Sequence, residues 1–406
     1  MSDRSDRSDR SDRSDRSDRS DRSDRSDRSD RSDRSDRSDR SDRSDRSPQA
    51  NTDYGRWILL PRVLAAFGLL STLAWWSQVG GGILVLALML APAVVVPLGL
   101  ALVASSGEPA PLPFAYRAAV CIMPLDVVVG TVGWKTPPGD GAAIACATVH
   151  LVFCGVVALF AVARLRERIR VRGVRGAFTP LQELALDVGL VLLPVGSVWL
   201  LASRAGVPLG GFHEPVVTLT AAHFHYAGFA APVVLGCVGR AFALGELRTA
   251  RAYRVATIAV CAGIPLTAIG IMTTHAVEAT AAVLLACGML VACALLVVVV
   301  PRRAAASSIL AAGLFAVAGV ALLGTMGLAV TFALTSSAGR GSTFDGPLSV
   351  QTMIDLHGGG NSIGFALGAL VALSVFSSRE GTRPPAPKKR RFSGSPPSAS
   401  AASTRR

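Results

Sequence analysis

The residues best suited to chemistry are histidines and carboxylates set in apolar surroundings. His223-Phe224-His225-Tyr226 interrupts one apolar stretch, and Asp355, His357 and the run Gly358-Gly359-Gly360-Asn361 interrupt another. His275 and Glu278 stand three apart between two further apolar stretches, and His213-Glu214 precede the first. An ionisable group inside a membrane span is costly and marks a site by default. Neutral imidazole suits zinc, copper or haem iron, whereas a chain of His, Glu and Asp suits proton movement. His223 and His225 point about 200° apart on a helix, so both ligate one metal only where the helix unwinds. His223 shares a face with Tyr226, and His357 with Asn361. The spacing predicts one of His223 and His225 gathered with His357 and His275, with Glu278 and Asp355 as charge partners. Metal ligation falls first on His223, His357 and His275, and Tyr226 and Asn361 complete a substrate or proton pathway. The competing reading is that these histidines only hydrogen-bond between helices and fix their packing.

The elements that must position these residues are membrane helices. Half of the 406 residues are apolar, and the first 47 contribute almost nothing to that half. A stretch of about twenty apolar residues crosses a hydrocarbon core of roughly 30 Å. Hydropathy places ten such stretches, at 59–76, 83–104, 114–134, 142–163, 181–202, 217–239, 255–275, 279–300, 308–334 and 351–376. Alternating ten-residue segments of a membrane barrel are absent, so the fold class is an all-α polytopic bundle. Arginines cluster after the fourth span (Arg164, Arg166, Arg168, Arg170, Arg172, Arg175), after the sixth (Arg248, Arg251, Arg254) and after the eighth (Arg302, Arg303). With ten spans these lie on one side, together with Lys388, Lys389, Arg390 and Arg391 of the C-terminal tail. The positive-inside rule then makes both termini cytoplasmic. On this orientation His213, His223, His225, His275 and His357 share one depth, in the outer half.

The flanks read as disordered. Residues 2–46 are fifteen copies of Ser-Asp-Arg whose charges cancel, so the net +13 comes from the rest of the chain. This gives three regions: a repeat tail over 1–50, the helical domain over 57–376, and a basic Pro/Ser-rich tail over 379–406. Residues Lys388–Arg391 are expected to rest on anionic lipid headgroups, and the charge excess reads as membrane topology rather than nucleic-acid binding. The polar N-terminus does not resemble a cleavable signal peptide. The seven cysteines (121, 146, 154, 237, 261, 287 and 293) have no paired spacing and read as small apolar residues. Among the remaining polar positions, Glu183 and Asp187 share a face of the fifth span. They either carry protons or a cation, or hold Glu183 at the interface near Arg175. Asp126 and His150 lie deeper and line the same interior. Prolines 92, 97, 124, 194, 232 and 265 inside spans release backbone carbonyls and allow kinks.

Two motifs carry a resemblance. Thr220-Ala-Ala-His-Phe-His-Tyr-Ala-Gly-Phe-Ala-Ala-Pro232 and Asp355-Leu-His-Gly-Gly-Gly-Asn-Ser-Ile-Gly-Phe365 resemble the YndJ-like bacterial membrane proteins, and Glu183-Leu-Ala-Leu-Asp-Val-Gly189 is compatible with them. The resemblance covers residues 57–376 and implies the architecture, with a transporter as the activity sometimes attached to that family. His-Phe-His-Tyr is also similar to the string in haem–copper oxidase catalytic subunits. Those subunits need an H-x-x-x-Y and a His-His pair as well, and the chain has neither. Three readings remain: a transporter-like protein with an outward-facing histidine site for a cation or protons, a membrane haem- or metal-binding oxidoreductase-like protein, and a non-catalytic scaffold or signalling protein. The transporter needs no cofactor. No P-loop, H-E-x-x-H or nucleophile elbow is present, which weighs against the familiar membrane enzymes.

Overall fold

The computed structural model describes residues 48–105, 112–244, 249–336 and 349–380. The Ser-Asp-Arg repeat, Arg248 and the Lys388–Arg391 cluster lie outside the described residues. All elements below belong to one compact unit that begins at Tyr54. Among the described residues, ten helices are long and apolar enough to cross a membrane: α1 (Tyr54–Gln78), α2 (Ile83–Ser105), α3 (Phe114–Lys135), α4 (Gly141–Phe178), α5 (Leu181–Ala205), α6 (Val216–Ala241), α7 (Ala250–Met272), α8 (Ala276–Ala304), α9 (Ile309–Phe332) and α10 (Val350–Ser378). Among the described residues the only extended pairing is an isolated bridge between Leu209 and Phe212. The expected all-α bundle of ten spans is the observed one, and a helix is what lets an apolar segment satisfy its own backbone in lipid.

The helices are not equivalent. In α2 and α6, 83 % of the most apolar stretch is buried, against 22–50 % in the other eight. These two helices therefore form the axis of the bundle, and the rest turn one side to lipid. That explains why the exposed surface of α1, α4, α7 and α9 carries large apolar side chains such as Phe67, Leu159, Ile258 and Val317. Lipid rewards such a surface as water does not.

Among the described residues, three helices contain a wide π-helical turn followed by a proline: Ala91–Val95 in α2, Phe224–Ala230 in α6 and Leu295–Val299 in α8. Each ends two residues before a proline, namely Pro97, Pro232 and Pro301. Proline has no N–H to donate, and its ring crowds the carbonyl four residues back. Widening the preceding turn moves that carbonyl aside, so the helix continues where it would otherwise kink. Helix α10 widens over Met353–Gly358 and Gly360–Leu367 without proline, around its three consecutive glycines.

Contacts fix which helix ends lie together. Tyr54 Oη donates to Ala104 O, linking the start of α1 to the end of α2, and Arg62 donates to Ser378 at the end of α10. Arg240 near the end of α6 donates to Val103 O of α2, and Arg303 near the end of α8 donates to Phe242 O. This end carries most of the arginines. At the opposite, arginine-poor end, Arg204 of α5 donates to Gly133 O in the last turn of α3 and to Thr136 O just beyond it, and Ser203 pairs with Thr218 of α6.

One expectation is corrected. Hydropathy ends the fourth span at 163 and leaves Arg164–Arg175 in a loop, yet the helix runs on to Phe178 with a break at Gly173, where φ is +69°. Arginine is a good helix former, and Arg164 and Arg168 are held against carboxylates of α5. Leaving the apolar layer therefore does not end the helix; the left-handed glycine only breaks it before a last short stretch.

Candidate functional site

A line of buried polar side chains crosses the middle of the bundle. Asp126 lies nine residues before Lys135 on α3, His150 nine residues after Gly141 on α4, and His225 nine residues after Val216 on α6. At about 1.5 Å per residue all three sit roughly 14 Å from the arginine-poor end. Asp126, His150 and His225 are 0, 2 and 1 % exposed, and Cys154, one turn along from His150, is fully buried. His150 Nδ1 is 2.9 Å from Asp126 Oδ1, and its Nε2 is 2.9 Å from His225 Nε2. His225 Nδ1 is 2.7 Å from Ala221 O, and Cys154 Sγ is 3.5 Å from His150 Nε2. The two rings lie 5.2 Å apart, inclined by 23°.

Hydrogen-bond chemistry restricts the protons. A carbonyl only accepts, so His225 Nδ1 carries a hydrogen and, in a neutral ring, Nε2 presents a lone pair. If His150 donates from Nδ1 to the Asp126 carboxylate, its own Nε2 lone pair faces that of His225. The contact then requires a positive charge between the two nitrogens. The alternative is a proton resting on Asp126, with His150 Nε2–H donating to His225. Either way the line holds one proton that can lie towards Asp126 or towards the imidazoles. Asp126 Oδ2 is buried without a protein partner among the described residues.

Local sequence explains the arrangement. His150 and Cys154 are four apart and share one face of α4. His225 lies in the wide turn of α6, and Gly196 of α5 gives its ring room: a Cβ there would stand 2.9 Å from His225 Nδ1. Tyr226 points the other way and donates to Ala87 O of α2 at 2.6 Å, anchoring the two axial helices to each other. His150 also lines a cavity of about 20 Å³, together with Cys146, Trp134 and Arg204 towards the arginine-poor end. That volume holds about one water.

The residues singled out by spacing fall into separate places. His225 turns to His150. His223, which is exposed, lies near enough to His357 for the two to interact electrostatically. His357 Nδ1 donates to Thr325 O at 2.9 Å, while its Nε2 accepts from Asn361 Nδ2 at 3.1 Å. Asn361 Oδ1 in turn accepts from Thr325 Oγ1 at 2.9 Å, so the His357–Asn361–Thr325 set closes on itself. Asp355 is exposed and accepts from Gln351. Glu278 stands at the start of α8, packed with its backbone against Gly270 of α7. Of His275 only the backbone, at the head of that helix, is described. His213 is exposed in the connection before α6.

Glu183 and Asp187 form a different cluster, at the arginine-rich end. Glu183 takes Arg164 at 2.9 Å and Arg240 at 2.6 and 2.5 Å. Asp187 takes Arg164 at 2.8 Å and Arg168. Three guanidinium groups thus bind two carboxylates and tie the ends of α4 and α6 to the start of α5.

Spacing along one helix does not reveal the His150–His225 pair, because its members lie 75 residues apart on different spans. The available signal was depth: Asp126, His150 and His225 each stand nine residues from the same end of their helices. No curated protein and no solved structure matches the chain. The sequence model described as YndJ-like protein matches residues 86–365, which include Asp126, His150, Cys154, His225, His357 and Asn361. That match spans more than half of this membrane-spanning helical chain, which belongs to the YndJ-like protein family.

Proposed function

We propose that this protein is a multi-pass transporter of the bacterial plasma membrane that passes a cation through the buried site between His150 and His225. The observation that carries the reading is the pair of facing Nε2 atoms, 2.9 Å apart, with the far nitrogen of each ring held by Asp126 or Ala221. Such a pair stores a positive charge, a proton or a metal ion, inside a layer where charge is expensive.

Access follows from the two ends. The arginine–carboxylate cluster closes the arginine-rich end, and the water-sized cavity beside His150 lies towards the other. With both termini cytoplasmic, as the arginine distribution favours, the site opens outward. The test is cation flux into proteoliposomes holding the purified chain, followed with a pH dye and a metal-sensitive dye. His225→Gln and His150→Gln should each abolish the flux seen with the unaltered protein. Flux that is unchanged in both variants, or no flux of any cation, overturns the proposal.

A further inference from the structure

The cation site has the ligands of a metal centre. We infer that His150 Nε2, His225 Nε2 and Cys154 Sγ bind one thiophilic d10 ion, Zn²⁺, at the centre of the membrane. This rests on the cation-site reading and names the ion that occupies it. The three ligand atoms lie within 4.8 Å of one another. Zinc bonds of about 2.0–2.1 Å to nitrogen and 2.3 Å to sulfur, at tetrahedral angles, set N···N near roughly 3.3 Å and N···S near roughly 3.6 Å. The observed separations are 2.9 and 3.5 Å. Admitting the ion needs the rings to part by a few tenths of an ångström.

The surrounding bonds match as well. A histidine bound to metal usually gives its other N–H to a carboxylate or a backbone carbonyl, which fixes the tautomer and aims the lone pair. His150 has Asp126 in that position, and His225 has Ala221 O. The Asp126 carboxylate and a Cys154 thiolate together balance a divalent ion, so the loaded site is neutral in lipid. Magnesium and calcium require several oxygen ligands, and the one carboxylate here is turned towards His150. Three protein ligands leave a fourth position free, and His150 borders a cavity with room for one water. That open position would take a water or a further ligand.

The probes are Zn²⁺ and, as its spectroscopic stand-in, Co²⁺, added to the full chain purified in detergent. One Co²⁺ per chain should bind, with the intense visible bands of a four-coordinate ion and a near-ultraviolet thiolate band, and Zn²⁺ should displace it. Cys154→Ser should remove the thiolate band while the protein still elutes as a single species. His225→Gln should abolish binding, and Asp126→Asn should weaken it by about 10–100-fold. Cys261→Ser, on α7, should change nothing. Absence of saturable binding, or binding indifferent to both Cys154→Ser and His225→Gln, overturns the assignment. Proton flux lost in His225→Gln without any Co²⁺ binding overturns the metal and leaves the cation site. Binding without flux of any cation keeps the metal and overturns the transporter.

Discussion

Replacing Gly196 by alanine probes the site without touching any of its polar atoms. A Cβ at position 196 would stand 2.9 Å from both His225 Nδ1 and Phe224 Cβ, and 3.1 Å from His225 Cε1. Ordinary contact begins near 3.4 Å, so the imidazole must retreat by about half an ångström, which is the tolerance of a binding constellation. The retreat stretches the 2.7 Å bond to Ala221 O. Overpacking of this kind costs about 1–3 kcal/mol, and the gain in helix propensity on replacing glycine by alanine is about 1 kcal/mol. Gly155→Ala supplies the control, because a Cβ there meets nothing within 4 Å. It shares the propensity gain and carries none of the strain. Gly196→Ala should therefore be about 1–3 kcal/mol less stable than Gly155→Ala, several degrees at roughly 2–4 °C per kcal/mol. The two are compared by heating the detergent-purified proteins side by side and measuring the soluble, monodisperse fraction. Cation flux should fall in Gly196→Ala alone. Equal melting and equal flux in the two variants would refute the packing of His225 against α5 described above.

Glu183→Gln should destabilise the bundle by roughly 2–4 kcal/mol, since it removes the charge of the carboxylate that binds both Arg164 and Arg240 in a largely buried place; heating in detergent reads this. Glu183→Leu with Arg240→Met should recover most of the loss, and a double variant worse than the single would contradict the pairing. Tyr226→Phe should cost only about 0.5–1.5 kcal/mol, because Ala87 O keeps its helical bond from Ala91 when the hydroxyl is removed. Pro232→Ala should let the turn before it tighten, re-aim His225 and abolish flux while the protein still folds; retained flux would show that the wide turn does not set the ring. Reporter domains fused to either terminus should be active only on the cytoplasmic side.

What the sequence discloses depends on the range of the interaction. Hydrophobic length is local, so ten spans and nearly all their limits were legible before any contact was known. The limit of α4 was not, because Arg164 and Arg168 remain helical through partners on α5 that hydropathy does not register. Facing was half legible. Spacing shows that His223 and His225 point apart, but not that His225 looks at α4 while His223 approaches α10. That choice is made by the wide turn over Phe224–Ala230 and by the missing side chain at Gly196, neither of which alters an apolar count. The cysteines show the same limit: Cys154 shares a face of α4 with His150, four residues back, but comes near His225 only because α4 and α6 meet at one depth.

The wide turns of α2, α6 and α8 have a consequence for how these helices tolerate changes in length. Each such turn holds about one residue more than an α-helical turn of the same span. Losing one residue from an ordinary helix rotates everything beyond it by about 100° and puts the wrong face to its neighbours. Losing one inside Ala91–Val95 or Leu295–Val299 restores α-helical winding and leaves the residues beyond in phase. Single-residue gaps among related chains should therefore gather at these two turns, while the turn that carries His225 keeps its full length.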